Sequence, residues 1–171
     1  MAAFTEDAEL EHPLDYILLR NGGVALYFAE HLLADAIAWL RVRHYLVHEF
    51  DCTSWQSEAD FHRTVATELG FPDYYGANLN AFNDCVGDVA IPSDGGVALV
   101  FRHFDRFASP HAKCAWHILD VLAGTSREKS LVGRRFLTLV QSDDPRLSFD
   151  PIGAVSARWN PSEWLNAKRG L

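Results

Sequence analysis

The sequence predicts an α/β fold in which helices cover a small, mainly parallel β-sheet. Segments with strand-like and helical patterns alternate along the chain, an arrangement that builds parallel sheets from strand–helix–strand units. The uninterrupted apolar run at residues 97–101 is typical of a strand that is buried on both faces. With 171 residues, of which 49% are hydrophobic, the chain can bury a sizeable core without disulfides or a metal ion.

The first 44 residues predict two short strands and a helix. Residues 16–20 and 24–28 have strand-like composition, and they flank an Asn-Gly-Gly turn signal at residues 21–23. Residues 29–43 place apolar side chains at helical spacing. We therefore expect residues 1–44 to form an N-terminal extension, a hairpin followed by a helix, that packs on the core.

Strands and helices alternate between residues 45 and 141. The predicted order is strand 45–50, helix 57–69, short helix 78–87, strand 97–101, helix 111–122 and strand 136–140. Ser57 is a suitable N-cap for the first of these helices, and Gly70 is a suitable stop. Residues 142–171 predict an irregular C-terminal tail, ordered in part by Trp159 and Trp164.

Charge is distributed unevenly along the chain, whose formal net charge is −8. Residues 1–63 contain 11 acidic and 4 basic side chains, residues 64–101 contain 5 acidic and no basic ones, and residues 102–171 contain 7 acidic and 11 basic ones. A stretch without Lys or Arg cannot neutralise phosphates, which argues against direct nucleic-acid binding by residues 64–101. The same stretch suits a cationic protein partner, although an acidic surface can also serve solubility alone.

Several function classes lack the residues that they need. No P-loop, dinucleotide-binding fingerprint or nucleophile elbow is present, so we expect neither an enzyme nor a cofactor. On a strand, His44 and His48 would lie about 13 Å apart, which is too far for one zinc ion. Cys114 and His117 lack a second ligand pair, so we expect no metal site. An acid pair at residues 84 and 88 leaves an enzyme of unknown type as an alternative.

The cysteines and the N-terminus indicate the compartment. The three cysteines are widely spaced and odd in number, which favours reduced thiols in a reducing compartment. The N-terminus lacks the basic region of a signal peptide. The longest apolar stretch, residues 32–40, is interrupted by Asp35 and is too short to span a bilayer. We expect a cytoplasmic protein that makes no membrane contact.

The predicted helix at residues 78–88 has an apolar face and a polar face on opposite sides. The apolar face consists of Leu79, Phe82, Cys85 and Val86. The polar face consists of Asn80, Asp84 and Asp88 at successive turns, with Asn83 and Gly87 beside them. Taken alone, this pattern is typical of any amphipathic helix at a protein surface.

Three features distinguish this helix from an ordinary surface helix. Its acidic residues lack the Lys or Arg neighbours that usually accompany them on an exposed helix. Tyr74 and Tyr75 come immediately before it, and tyrosines are common contact residues in protein interfaces. Gly76 and Gly87 leave room for the close approach of another backbone. Together these features indicate a surface that binds a protein.

The run GFPDYYGANLNAFNDC at residues 70–85 resembles the central motif of the barstar (barnase inhibitor) family. Members of that family carry a Pro-acid-Tyr-Tyr-Gly-x-Asn-Leu segment followed by a short helix that ends near Asp-Cys. Residues 60–69, DFHRTVATEL, resemble the family's first helix, and the order of elements over residues 45–141 also matches. The resemblance implies a barstar-like three-layer α/β fold for residues 45–141, to which residues 1–44 and 142–171 are added.

The resemblance also implies a mode of action. Such inhibitors place the motif helix and the preceding loop in the cleft of a ribonuclease, where a carboxylate occupies the site of the substrate phosphate. Asp84 matches that carboxylate, and Tyr74, Gly76 and Asn78 match family contact positions. Cys85 matches a cysteine that packs inward.

Two departures from the family pattern concern the identity of the target. Asn80 stands where the family has an aspartate, and Asn83 stands where it has a contact tryptophan. These departures leave two alternatives for the target, a different ribonuclease or a toxin that is not a ribonuclease.

The predicted function is that of an antitoxin or immunity-type inhibitor, whose partner is a cationic, secreted or toxin-type ribonuclease. The predicted partner-binding residues are Tyr74, Tyr75, Gly76, Asn78, Asn80, Asn83, Asp84, Gly87 and Asp88. The alternative is a barstar-like interaction module or regulator that inhibits no ribonuclease.

Overall fold

The computed structural model describes residue 4, residues 7–164 and residues 166–169. Within them the helices and strands follow in the order α1 (Ala8–Glu11), α2 (Asp15–Arg20), β1 (Val24–Tyr27), α3 (Glu30–Val42), β2 (Tyr45–Asp51), α4 (Glu58–Leu69), α5 (Leu79–Gly87), β3 (Gly96–Arg102), α6 (Phe104–Ala108), α7 (Ala112–Leu131), β4 (Phe136–Gln141) and β5 (Arg158–Trp159). Short 3₁₀ turns occur at Cys52–Ser54, Pro161–Glu163 and Ala167–Arg169.

The five strands form one sheet in the order β2-β3-β4-β1-β5, and each neighbouring pair is parallel. The first strand of the chain lies inside the sheet, where Leu26 of β1 is opposite Val140 of β4 and Trp159 of β5. The prediction of an α/β fold around a mainly parallel sheet is confirmed.

Helices cover both faces of this sheet and make it the middle of three layers. On one face, α4 to α7 pack on strand residues such as Leu99, with Phe82 of α5 fully buried among them. On the other face, α2 and α3 pack on residues such as Val100, with Leu33 of α3 fully buried. Neighbouring residues of β3 thus enter different cores, which explains the uninterrupted apolar run at residues 97–101.

The capping signals around α4 are confirmed. The side chain of Ser57 accepts a hydrogen bond from the backbone N–H of Asp60, whose carboxylate accepts one from the backbone N–H of Ser57, so the two form a capping box. Gly70 ends the helix in the left-handed conformation, with φ of 64°. These are local signals, and they act in the structure as the sequence predicts.

The N-terminal hairpin prediction is wrong. Residues 15–20 form the helix α2, and β1 pairs in parallel with β4 and β5 instead of with a preceding strand. The Asn-Gly-Gly segment connects a helix to a strand, with φ of 99° at Gly22 and 77° at Gly23. Six residues are too few for helical periodicity to show, and burial of Leu18 against the sheet outweighs local strand propensity.

A buried carboxylate joins the N-terminal segment to the rest of the molecule. The side chain of Asp15 in α2 is fully buried, and it accepts a hydrogen bond from the hydroxyl of Tyr45 in β2 at 2.6 Å. A guanidinium nitrogen of Arg135 lies 3.9 Å from the same carboxylate. Burial and the neighbouring Asp15 raise the pKa of the Tyr45 hydroxyl, which stays protonated as the donor.

The structure extends the predictions for the second half of the chain. The helix α7 continues to Leu131, nine residues beyond the predicted end, and the short helix α6 precedes it. Gly124 and the polar residues that follow it interrupt the apolar pattern, so sequence periodicity ends before the helix does.

The C-terminal tail is more ordered than predicted. The carboxylate of Glu163, which is 1% exposed, accepts hydrogen bonds from the backbone N–H groups of Phe28 and Ala29, each at 2.8 Å. It therefore caps the start of α3, where Ala29 offers no capping side chain. The guanidinium of Arg169 lies 4.1 Å from the ring centroid of Trp159, whereas Trp164 is 76% exposed. Trp159 contributes to the order of the tail, and Trp164 does not.

Candidate partner-binding site

The helix α5 starts at a side-chain cap that also shapes the loop before it. The side-chain oxygen of Asn78 accepts a hydrogen bond from the backbone N–H of Ala81 at 3.0 Å. Its amide nitrogen donates to the carbonyl of Gly76 at 3.1 Å. A Cβ atom at Gly76 would lie 2.9 Å from that nitrogen, so a side chain there would displace the amide of Asn78. Asn78 thus holds the loop and the first turn of α5 in one arrangement.

The polar face of α5 is confirmed, and the apolar face is confirmed at three of its four predicted residues. Phe82 and Val86 are fully buried in the core, and Leu79 is half-buried against it. The side chains of the polar face are exposed to solvent, namely those of Asn80, Asn83, Asp84 and Asp88. A Cβ atom at Gly87 would meet nothing within 4 Å, so the surface beside this half-buried glycine is open.

The two carboxylates of this face have no partner within the described part of the chain. Neither the side chain of Asp84 nor that of Asp88 takes part in a hydrogen bond or an ion pair there. By contrast, Glu49 and Asp143 are each engaged by nearby Arg side chains. The polar face of α5 therefore presents unneutralised negative charge to solvent.

The two tyrosines before α5 face in different directions. Tyr74 is 86% exposed. Tyr75 is half-buried against the core, with its ring centroid 5.0 Å from that of Phe71, and its hydroxyl is hydrogen-bonded to Nδ1 of the buried His62. Burial raises the pKa of Tyr75 and lowers that of His62, so both groups stay neutral. Tyr75 supports the loop from within, and its contact with a partner stays a prediction.

Cys85 is only half-buried, which corrects the expectation that it packs inward. It lines a cavity of about 410 Å³ beside α5, together with Tyr74, Asp88 and residues of the preceding loop. Burial raises the pKa of the Cys85 thiol, and the negative charges of Asp84 and Asp88 raise it further. Like Cys52 and Cys114, it is a free cysteine.

The fold places two basic side chains beside α5, although residues 64–101 contain no Lys or Arg. Arg63 of α4 and Asn80 of α5 line a cavity of about 570 Å³ between the two helices. At the other end of α5, the ammonium group of Lys129 in α7 donates a hydrogen bond to the carbonyl of Gly87. Arg63 lies one residue outside the base-free stretch, and Lys129 lies 42 residues from Gly87 in sequence. No local signal identifies the second contact.

The residues that the structure describes were compared with the requirements of a metal site and of a membrane-spanning helix. They contain no group of three or more His, Cys, Asp or Glu side chains placed to hold a metal ion. None of their helices combines the length and the apolar character needed to cross a membrane.

Comparison with known proteins relates this chain to a protein family and to solved structures. Residues 45–141 match the family described as "Barstar (barnase inhibitor)". Among solved structures, a chain in "Structure of Drosophila ORC bound to AT-rich DNA and Cdc6" is similar with a TM-score of 0.48 and 16% identity, over 81% of this chain. The present chain spans 46% of that neighbour's length, and similarity at this level does not bear on function.

The family match has the same bounds as the segment in which the motif, the helix order and the exposed face of α5 were found. It covers more than half of the chain. By its sequence match and its parallel α/β architecture, this chain belongs to the barstar (barnase inhibitor) family.

Proposed function

We propose that this chain is an inhibitor, of the antitoxin or immunity type, that blocks the active site of a small basic ribonuclease. The observation that carries the proposal is the unpaired carboxylate of Asp84, held at the middle of an exposed helix face in a family named for ribonuclease inhibition. A fixed carboxylate is a suitable substitute for a phosphate in a cleft of Arg, Lys and His. The chain acts by occupying the cleft and has no enzyme activity of its own.

The rigid surroundings of α5 support this role. Its buried side is held by Phe82 and Val86, and its start is held by Asn78. A pre-ordered anion loses little conformational freedom on binding, which favours affinity. The neutral Asn80 and Asn83 are expected to select a target whose cleft differs from that of barnase.

The test is a titration of the purified chain into RNA-cleavage assays of a panel of small basic ribonucleases that includes barnase. We expect stoichiometric inhibition of at least one enzyme. Asp84→Ala should weaken that complex by about 30-fold or more, because it strands basic groups in the partner's cleft. Asp88→Ala should cost less, and Asn80→Ala less still.

The matched control is Asp35→Ala, which removes one exposed carboxylate from α3 on the opposite face of the sheet. It changes the net charge as Asp84→Ala does and should leave inhibition unchanged. Equal losses in the two variants, or inhibition of none of the enzymes, would contradict the proposal. Binding of a partner without loss of its nuclease activity would instead support an interaction module.

A further inference from the structure

A third cavity lies between α7 and the C-terminal tail, and no residue of α5 lines it. Its volume of about 630 Å³ exceeds that of the two cavities beside α5 and falls in the range of small-molecule sites. One wall belongs to α7 and the other to residues 148–150 of the tail. The tail is fastened to α7 nearby, where the backbone N–H of Gly153 donates to the carboxylate of Asp120 at 2.7 Å. The second wall is therefore held in place.

Each wall carries one aromatic side chain. Trp116 of α7 is half-buried and packs against the apolar core. Phe149 of the tail is half-buried, and its ring lies 6.3 Å from that of the buried Phe104. Two aromatic walls held from behind favour a flat aromatic ligand between them.

The charged groups of the two walls are of opposite sign. Lys113 lies four residues before His117, so the two share one side of α7. Asp150 stands on the tail wall. Within the described residues, neither Lys113 nor Asp150 has an ion pair or a hydrogen bond to its side chain. The cavity thus offers a free ammonium group at one wall and a free carboxylate at the other.

We propose that this cavity binds a small aromatic carboxylate that carries a hydrogen-bond donor at the other end of its ring. The ligand's carboxylate lies beside Lys113 and His117, and its ring lies between Trp116 and Phe149. Its donor faces Asp150. The inference is independent of ribonuclease inhibition, because it uses no residue of α5 and requires no protein partner.

The test is an NMR titration of the full chain with 4-hydroxybenzoate, in which the indole N–H resonance of Trp116 is followed. The resonance is assigned as the one that is lost in Trp116→Phe. We expect a dissociation constant of about 1 mM or tighter. The neutral analogue 4-hydroxybenzyl alcohol should bind at least about fivefold more weakly, since it forgoes the charge-assisted contact with Lys113. Lys113→Gln should remove this preference and leave the binding of the alcohol unchanged.

Lys168→Gln is the matched control, because Lys168 is exposed and lies outside the cavity. It should leave the affinity for 4-hydroxybenzoate as it is. The proposal is overturned if 4-hydroxybenzoate at about 20 mM, far above the expected dissociation constant, does not shift the Trp116 resonance. It is equally overturned if the alcohol binds as tightly, or if the two lysine variants behave alike. Urea unfolding of each variant shows that the fold is retained.

Discussion

Replacing Glu163 with alanine removes the carboxylate that caps the start of α3. In the native chain one oxygen of that carboxylate accepts from the N–H groups of Phe28 and Ala29, and the other accepts from the side-chain amide of Asn166 at 3.0 Å. The two backbone donors are partly buried, and each loses its partner in Glu163→Ala. A buried donor left unsatisfied costs about 1–3 kcal/mol, so the two donors together predict a loss of about 2–6 kcal/mol in the free energy of unfolding.

Urea unfolding followed by far-UV circular dichroism measures this loss. Glu163→Gln should cost about 1 kcal/mol, because its carbonyl oxygen still accepts from the two N–H groups without the negative charge. The control is Glu128→Ala, which truncates an exposed glutamate of α7 and should stay within about 0.5 kcal/mol of the native chain. A loss below 1 kcal/mol in Glu163→Ala would show that the tail does not cap α3.

Three further outcomes follow from the packing. Tyr45→Phe takes the hydroxyl donor from the buried Asp15 and should cost about 1–3 kcal/mol in urea unfolding; an unchanged midpoint would contradict the contact. Gly124→Ala adds a methyl group that meets nothing within 4 Å inside α7, so it should raise stability by about 0.5–1 kcal/mol in thermal denaturation. Hydrogen bonds from Ser57 and Arg63 lower the pKa of Asp60 to about 2. The stability that the ionised carboxylate of Asp60 contributes is therefore complete above about pH 4 and is lost as the pH falls towards 2. The stability difference between the native chain and Ser57→Ala should shrink over that window, and a constant difference would refute the linkage.

Predictions that rest on local chemistry hold in this chain. The cap at Ser57 and the stop at Gly70 each depend on residues a few positions apart, so the sequence contains all that determines them. The separation of Phe82 from Asp84 on opposite sides of α5 follows in the same way from helical periodicity. These elements position the candidate site, which is why its exposed face is predictable.

Predictions fail where distant residues decide the structure. Gly22 and Gly23 correctly signal a tight connection, but whether a helix or a strand precedes it depends on the burial of Leu18. A Cβ atom at Gly23 would lie 1.9 Å from the hydroxyl oxygen of Ser126 in α7, so this glycine serves a close approach between remote segments. The base at the end of α5, Lys129, is a long-range contact of the same kind.

Because β1 lies inside the sheet, it cannot pair with its neighbours until late in the synthesis of the chain. β1 ends at residue 27, whereas β4, its larger neighbour, begins at residue 136. At synthesis rates of about 5–20 residues per second, the apolar strand waits about 5–20 s on the ribosome without either of its final neighbours. Throughout that interval other nascent chains can bind its unpaired backbone and the four side chains that are buried in the folded protein. A holdase that covers residues 24–27 would therefore begin to act before residues 74–88, which form the candidate partner-binding site, have been synthesised.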